Sequence, residues 1–176
     1  MTTYELAKLV LMADGVDSRK RLQKTVHLLQ AAGCDFGLEF RLHYYGPYCS
    51  ELAELIDWMS ADDILIESKR QTSVGTQYDY RLNANLRDNL ESFEETSRGQ
   101  VAKTKLEGFQ KLLDELRDTP PRVLELASTI VVFRQNGKEW PEALKRTAEF
   151  KQEDAHSLAM KRAFALAKSV LSCCNG

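Results

Sequence analysis

No stretch of this sequence is apolar for long enough to cross a bilayer. The longest candidate, Val123 to Phe133, still contains Glu125, Ser128 and Thr129, whereas a spanning helix needs about 20 mostly apolar residues. An excess of one charge is missing too. The 24 Lys plus Arg stand against 26 Asp plus Glu, a formal net charge of -2 in 176 residues. That balance excludes a protein that coats nucleic acid over its whole surface; contact with a phosphate backbone would need a local basic patch. Cysteine is scarce and unpatterned. Cys34, Cys49, Cys173 and Cys174 contain no Cys-x-x-Cys pair, so neither a zinc ribbon nor a secreted disulfide framework is expected. No glycine-rich phosphate loop is present. The three histidines, His27, His43 and His156, lie in no nucleophile–base context, so no enzyme is expected, and no cofactor or metal. The first residues carry Glu5 and Lys8 and lack a small-residue cleavage site, which argues against a signal peptide. The expectation is a cytoplasmic protein with reduced thiols and no membrane contact.

What is present is an ordinary globular composition, 43% hydrophobic and 28% charged, long enough to bury a sizeable core. Helical periodicity dominates. Tyr4, Leu6, Leu9, Val10 and Met12 form one apolar face that ends near Asp14-Gly15. Asp17 and Ser18 are N-cap candidates for a second helix with Leu22, Val26 and Leu29 on its face and Gly33 at its end. Residues 39–44 alternate and predict a short strand, broken by Tyr45-Gly46-Pro47. Cys49 or Ser50 then caps a third helix through Leu52, Leu55, Ile56 and Met59. Residues 64–68 and 77–82 predict a hairpin turning near Val74-Gly75. The order helix, helix, strand, helix, strand, strand is that of a winged helix.

From Asn83 the pattern is helical only. Leu86, Leu90 and Phe93 suggest one helix, with a bend near Gly99. Val101 to Leu116 continue as another, and Pro120-Pro121 starts a helix apolar on most faces up to Phe133. Segments 140–150 and 154–171 suggest two more. The fold class expected is mainly α with a small β-hairpin: a winged-helix-like unit over residues 1–82, then a helical bundle over 83–176 packed against it.

Arg21-Leu22-Gln23-Lys24 with Leu28-Leu29-Gln30, the block Phe40 to Tyr48 leading into Ser50-Glu51-Leu52, and Leu124 to Ile130 resemble the YwgA-like proteins of bacteria and archaea. More distantly, they are similar to the Panacea-domain antitoxins. The resemblance implies a winged-helix-like or mostly helical regulatory module. For the Panacea relatives it also implies neutralisation of a toxin through protein contact. It supplies no catalytic set.

Two groups of residues carry the functional expectations. Arg41, His43, Tyr44, Tyr45, Pro47 and Tyr48 make an aromatic Gly-Pro block suited to binding a protein or a ligand, because tyrosine offers large amphipathic area at low entropic cost. Arg19, Lys20, Arg21 and Lys24 on the second helix, with Lys69 and Arg70 in the wing, are the candidates for a nucleic-acid backbone. The third helix argues against groove reading: it carries Glu51, Glu54 and Asp57, runs out through Asp62 and Asp63, and has no Lys or Arg. Residues 1–82 hold 9 basic and 12 acidic residues, and residues 83–176 hold 15 and 14. The half that looks like a DNA reader is the more acidic one. The expected partner is therefore another protein or a second copy, with DNA the disfavoured alternative.

Overall fold

The computed structural model describes residues 1–72 and 75–173. Val74 of the anticipated turn and Cys174 lie outside the described residues. The protein is mainly α, with two small antiparallel sheets. Helix α1 (Thr3–Met12) starts at a reciprocal cap, in which Thr2 and Glu5 satisfy each other's backbone N–H. Helix α2 (Arg19–Ala31) starts at Ser18, whose hydroxyl accepts from Arg21 N at 3.0 Å. A hairpin of β1 (Arg41–His43) and β2 (Gly46–Tyr48) follows, then α3 (Ser50–Ala61). The long hairpin β3 (Leu65–Thr72) and β4 (Gly75–Leu82) runs in register from Leu65 opposite Leu82 to Thr72 opposite Gly75. After a 3-10 turn at Ala84–Leu86 the chain forms α4 (Arg87–Glu94), α5 (Ser97–Glu107), α6 (Gln110–Asp118), α7 (Pro121–Gln135), α8 (Trp140–Lys151) and α9 (Leu158–Ser172).

Three local readings change. One hairpin was expected, and the structure has two, because the Gly-Pro pair anticipated as a strand break is itself strand β2, pairing Leu42 with Pro47 and His43 with Gly46. The helix anticipated from Val101 to Leu116 is divided at Gly108-Phe109 into α5 and α6. The last helix begins at Leu158 rather than Asp154, since Ser157 is the residue whose side chain caps it. The bend expected near Gly99 is there: α4 ends at Glu94 and α5 begins at Ser97, two residues before this glycine. It sits in the first turn of α5, where a Cβ would collide with the carbonyl of Phe93 at the end of α4, so its missing side chain lets two short helices meet closely.

Helix α7 is the axis of the core. It is apolar nearly all round because it is surrounded: α2, α8, α9 and β2 all pack against it. Leu124, Leu126, Ala127, Ile130 and Val131 are buried in it, and Pro121 takes the first-turn position where a missing N–H costs nothing. One connected apolar cluster runs from Leu6 through Leu22, Ile56 and Leu116 to Val170. Among the described residues no helix is long and apolar enough to cross a membrane.

The polar residues of α2 bind the backbone of its neighbours. Gln23, buried, accepts from Cys49 N at 2.9 Å and donates to Cys49 O at 2.8 Å, so its amide acts as a one-residue strand partner. Gln30 accepts from Leu38 N at 3.1 Å and donates to Leu38 O at 2.7 Å. Replacing Gln23 with Leu keeps the volume and strands both backbone groups of Cys49. At roughly 1–3 kcal/mol for each buried unsatisfied group, Gln23→Leu is expected to cost about 2–4 kcal/mol in urea unfolding. A cost below about 1 kcal/mol would contradict this role.

Candidate functional site

The basic residues at the start of α2 oppose the helix dipole, and the fold supplies the negative groups that offset this. Arg21 donates to Asp17 Oδ1 at 2.5 Å and, through Nη1, to the carbonyls of Leu116, Arg117 and Thr119 at 3.1, 3.1 and 2.9 Å. It thereby caps the C-terminal end of α6. Arg19 pairs with Asp57 at 2.6 Å and with Glu67 at 3.6 Å, and donates to the Tyr80 hydroxyl at 3.2 Å. Lys24 points inward and is only 5% exposed; its Nζ donates to Pro47 O at 2.6 Å. Of the four basic residues on this helix, Lys20 alone is exposed, with its Nζ 4.0 Å from the centre of the Tyr45 ring. Lys69 and Arg70 lie apart on β3, both exposed, with Arg70 3.4 Å from Asp79 and Lys69 over the Tyr78 ring.

The β1–β2 turn is held from beneath by two buried lysines. Lys24 takes the carbonyl of Pro47. Lys151, at the end of α8, donates to Tyr44 O and to Glu125 Oε1 at 2.6 Å each, with its side chain 3% exposed. Gly46 makes this closeness feasible. It takes φ +90°, and a Cβ there would lie 3.2 Å from Lys24 Cε and 3.3 Å from Thr129 Oγ1. Any side chain at this position would be both strained and crowded.

Because the backbone of the turn is tied inward, its side chains are turned out. Tyr44 is 70% exposed, Tyr45 54% and Tyr48 39%. Tyr44 and Tyr45 meet edge to face at 5.1 Å, and His43 lies 5.5 Å from Tyr48. Pro47 is buried. Between this hairpin and α2 runs a groove of about 460 Å³ lined by Arg19, Lys20, Gln23, Lys24, His43, Tyr45, Gly46 and Tyr48. The fold thus brings together residues from both groups expected from sequence, the basic residues of α2 and the aromatic block. Arg41 opens onto a separate hollow with Glu39, Ser50 and Glu51, and Lys69 and Arg70 line neither space. Lys151, Glu125 and Thr129 went unread because the contacts that matter are long-range: Tyr44 and Lys151 are 107 positions apart.

The metal-capable residue types are engaged elsewhere. Cys34 is fully buried, and burial pushes its thiol up to about 11. Cys49 is the N-cap of α3, its sulfur accepting from Leu52 N at 3.4 Å. His27 lies against Phe40 in the core, and burial pushes its pKa down to about 3. Cys173 is exposed. His156 is exposed on the loop before α9.

The chain is similar to uncharacterized protein YwgA of Bacillus subtilis (strain 168), with 26% identity over 133 residues, 73% of this chain and 72% of that protein. No family model matches it.

The buried Lys24 ammonium leaves a pH signature. Loss of hydration, with Lys151 and Lys20 nearby, lowers its pKa from the ordinary 10.5 to about 8, against the smaller opposing pull of Glu125. Below pH 8 both folded and unfolded chains hold the proton, and the cost of burying the charge is borne in full. Between about pH 8 and 10.5 the folded chain releases it first, so the unfolded chain binds more protons and stability rises with pH. Relative to Lys24→Met, the parent is expected to gain about 2 kcal/mol between roughly pH 7 and 9.5, read from urea unfolding of both proteins. A pH-independent difference between the two would refute the assignment.

Proposed function

We propose that this protein is a non-catalytic regulatory module that docks a protein partner, or a second copy of itself, through the tyrosines of the β1–β2 hairpin. One observation carries the reading: Tyr44, Tyr45 and Tyr48 project from a turn whose backbone is anchored by Lys24 and Lys151. Exposed aromatics on a rigid support lose little entropy on binding and are the side chains that most often dominate interface energetics. A role of this kind, neutralisation or control of a partner by contact, is what the resemblance of Arg21-Leu22-Gln23-Lys24 to the Panacea-domain antitoxins would imply.

The test compares the parent with a variant in which Tyr44, Tyr45 and Tyr48 are all changed to Ala. Sedimentation reports self-association, and capture from the native cell reports a stoichiometric partner. The variant is expected to lose the complex while its unfolding midpoint stays nearly unchanged, because each substitution removes an outward-facing side chain. A complex that survives the triple substitution, or no stoichiometric complex for the parent, would sink the proposal.

A second reading, a winged-helix DNA-binding regulator, draws support from Lys69 and Arg70, both exposed on a long hairpin that follows α3. The exposed acids Glu51, Glu54 and Asp57 on α3 oppose it. It expects a salt-sensitive gel shift abolished by Lys69→Glu with Arg70→Glu. An undiminished shift in that double variant rejects wing contact.

A further inference from the structure

We propose that the groove between α2 and the β1–β2 hairpin binds a small anion that carries an aromatic ring. This goes beyond protein docking and stands without it, since the groove is complete in a single chain.

The first support is a charge imbalance. Lys24 and Lys151 are both buried, and Glu125 serves Lys151 at 2.6 Å and Arg122 at 3.5 Å. Among the described residues no carboxylate lies within 4.0 Å of Lys24 Nζ. Its one acceptor there is Pro47 O, while an ammonium has three N–H donors. Glu125 acts on Lys24 only at longer range; a buried cation with no carboxylate in contact is costly, and an anion reaching it from the groove would offset that cost.

The second support is the mixture of chemistries around that ammonium. Lys20, exposed, adds a second cation at the rim beside Tyr45. Tyr45, Tyr48 and His43 supply aromatic walls. Arg19 is held by Asp57 at 2.6 Å and adds little net charge. Two cations and three rings lining one groove suit a ligand that joins a phosphate or carboxylate to a flat apolar body. The volume of about 460 Å³ falls in the range of small-ligand sites, roughly 300–1,000 Å³. A polyanion fits less well, because a strand leaving the groove along α3 would meet the exposed Glu51, Glu54 and Asp57.

The experiment is calorimetric titration of the full chain near neutral pH with phenyl phosphate, set beside inorganic phosphate, phenol and a short oligothymidylate. The expected result is one saturable site for phenyl phosphate, at least about ten-fold tighter than for either half of the molecule alone. Lys20→Ala and Tyr45→Leu are each expected to weaken it about ten-fold, and Lys24→Met to abolish it. The first two alter exposed side chains, so they decide the matter even where Lys24→Met disturbs the turn. Lys20→Ala leaves all three tyrosines in place, which separates this site from the docking surface. No saturable binding of phenyl phosphate, or binding unaffected by both surface variants, would overturn the proposal. Tighter binding of the oligothymidylate through the same residues would also overturn it and assign the groove to nucleic acid.

Discussion

The structure turns on two ammonium groups buried under a two-tyrosine turn. Lys24 and Lys151 come from helices far apart in sequence, and each donates to a carbonyl of the same hairpin, Pro47 and Tyr44 respectively. Carbonyls near a turn often lie toward water. Here they face inward because the lysines supply charge-assisted donors stronger than water would be. With those carbonyls held inside, Tyr44, Tyr45 and Tyr48 face out while Pro47 faces in. The exposed aromatic surface, the closeness that requires Gly46, and the groove beside α2 all follow from that one arrangement. Helix α7 joins the two lysines, because its Glu125 holds Lys151 and its Thr129 lies against Gly46.

The segment that carries the resemblance to the YwgA-like proteins has a structural explanation. In Arg21-Leu22-Gln23-Lys24, Leu22 enters the core, Arg21 caps α6, Gln23 pairs with Cys49 and Lys24 holds Pro47. Four consecutive residues thus reach the core, the end of α6 and the segment from Pro47 to Cys49. An isolated helix would gain little from such a run, so the motif marks how α2 is seated in the fold.

Much of the helical framework was legible, and the reason is local. Ser18, Gly33 and Pro121 are boundary signals that act through their own backbone, and the leucine spacing of α2 reports a face regardless of what covers it. Strand β2 was not legible, because three residues that include Gly46 and Pro47 show no alternation and resemble a turn. The division at Gly108-Phe109 was missed since the leucine spacing continues across it. At the site, the aromatic block was visible as a cluster. The direction of its side chains was not, because a lysine in a basic run reads as solvated and nothing near it announces burial. The two elements that turn Lys24 inward, β2 and α7, lie 22–24 and 97–111 positions away.

Order of synthesis gives the lysine contact another meaning. The Tyr44 carbonyl and the ammonium that holds it are separated by 107 positions. At about 5–20 residues per second, a ribosome takes roughly 5–20 s to pass from one to the other. Through that interval the nascent chain carries the aromatic loop with one of its two anchors, Lys24, and without the other. The Tyr44 carbonyl gains its lysine donor only when α8 arrives, so a partner selective for the doubly anchored form would pass over incomplete chains.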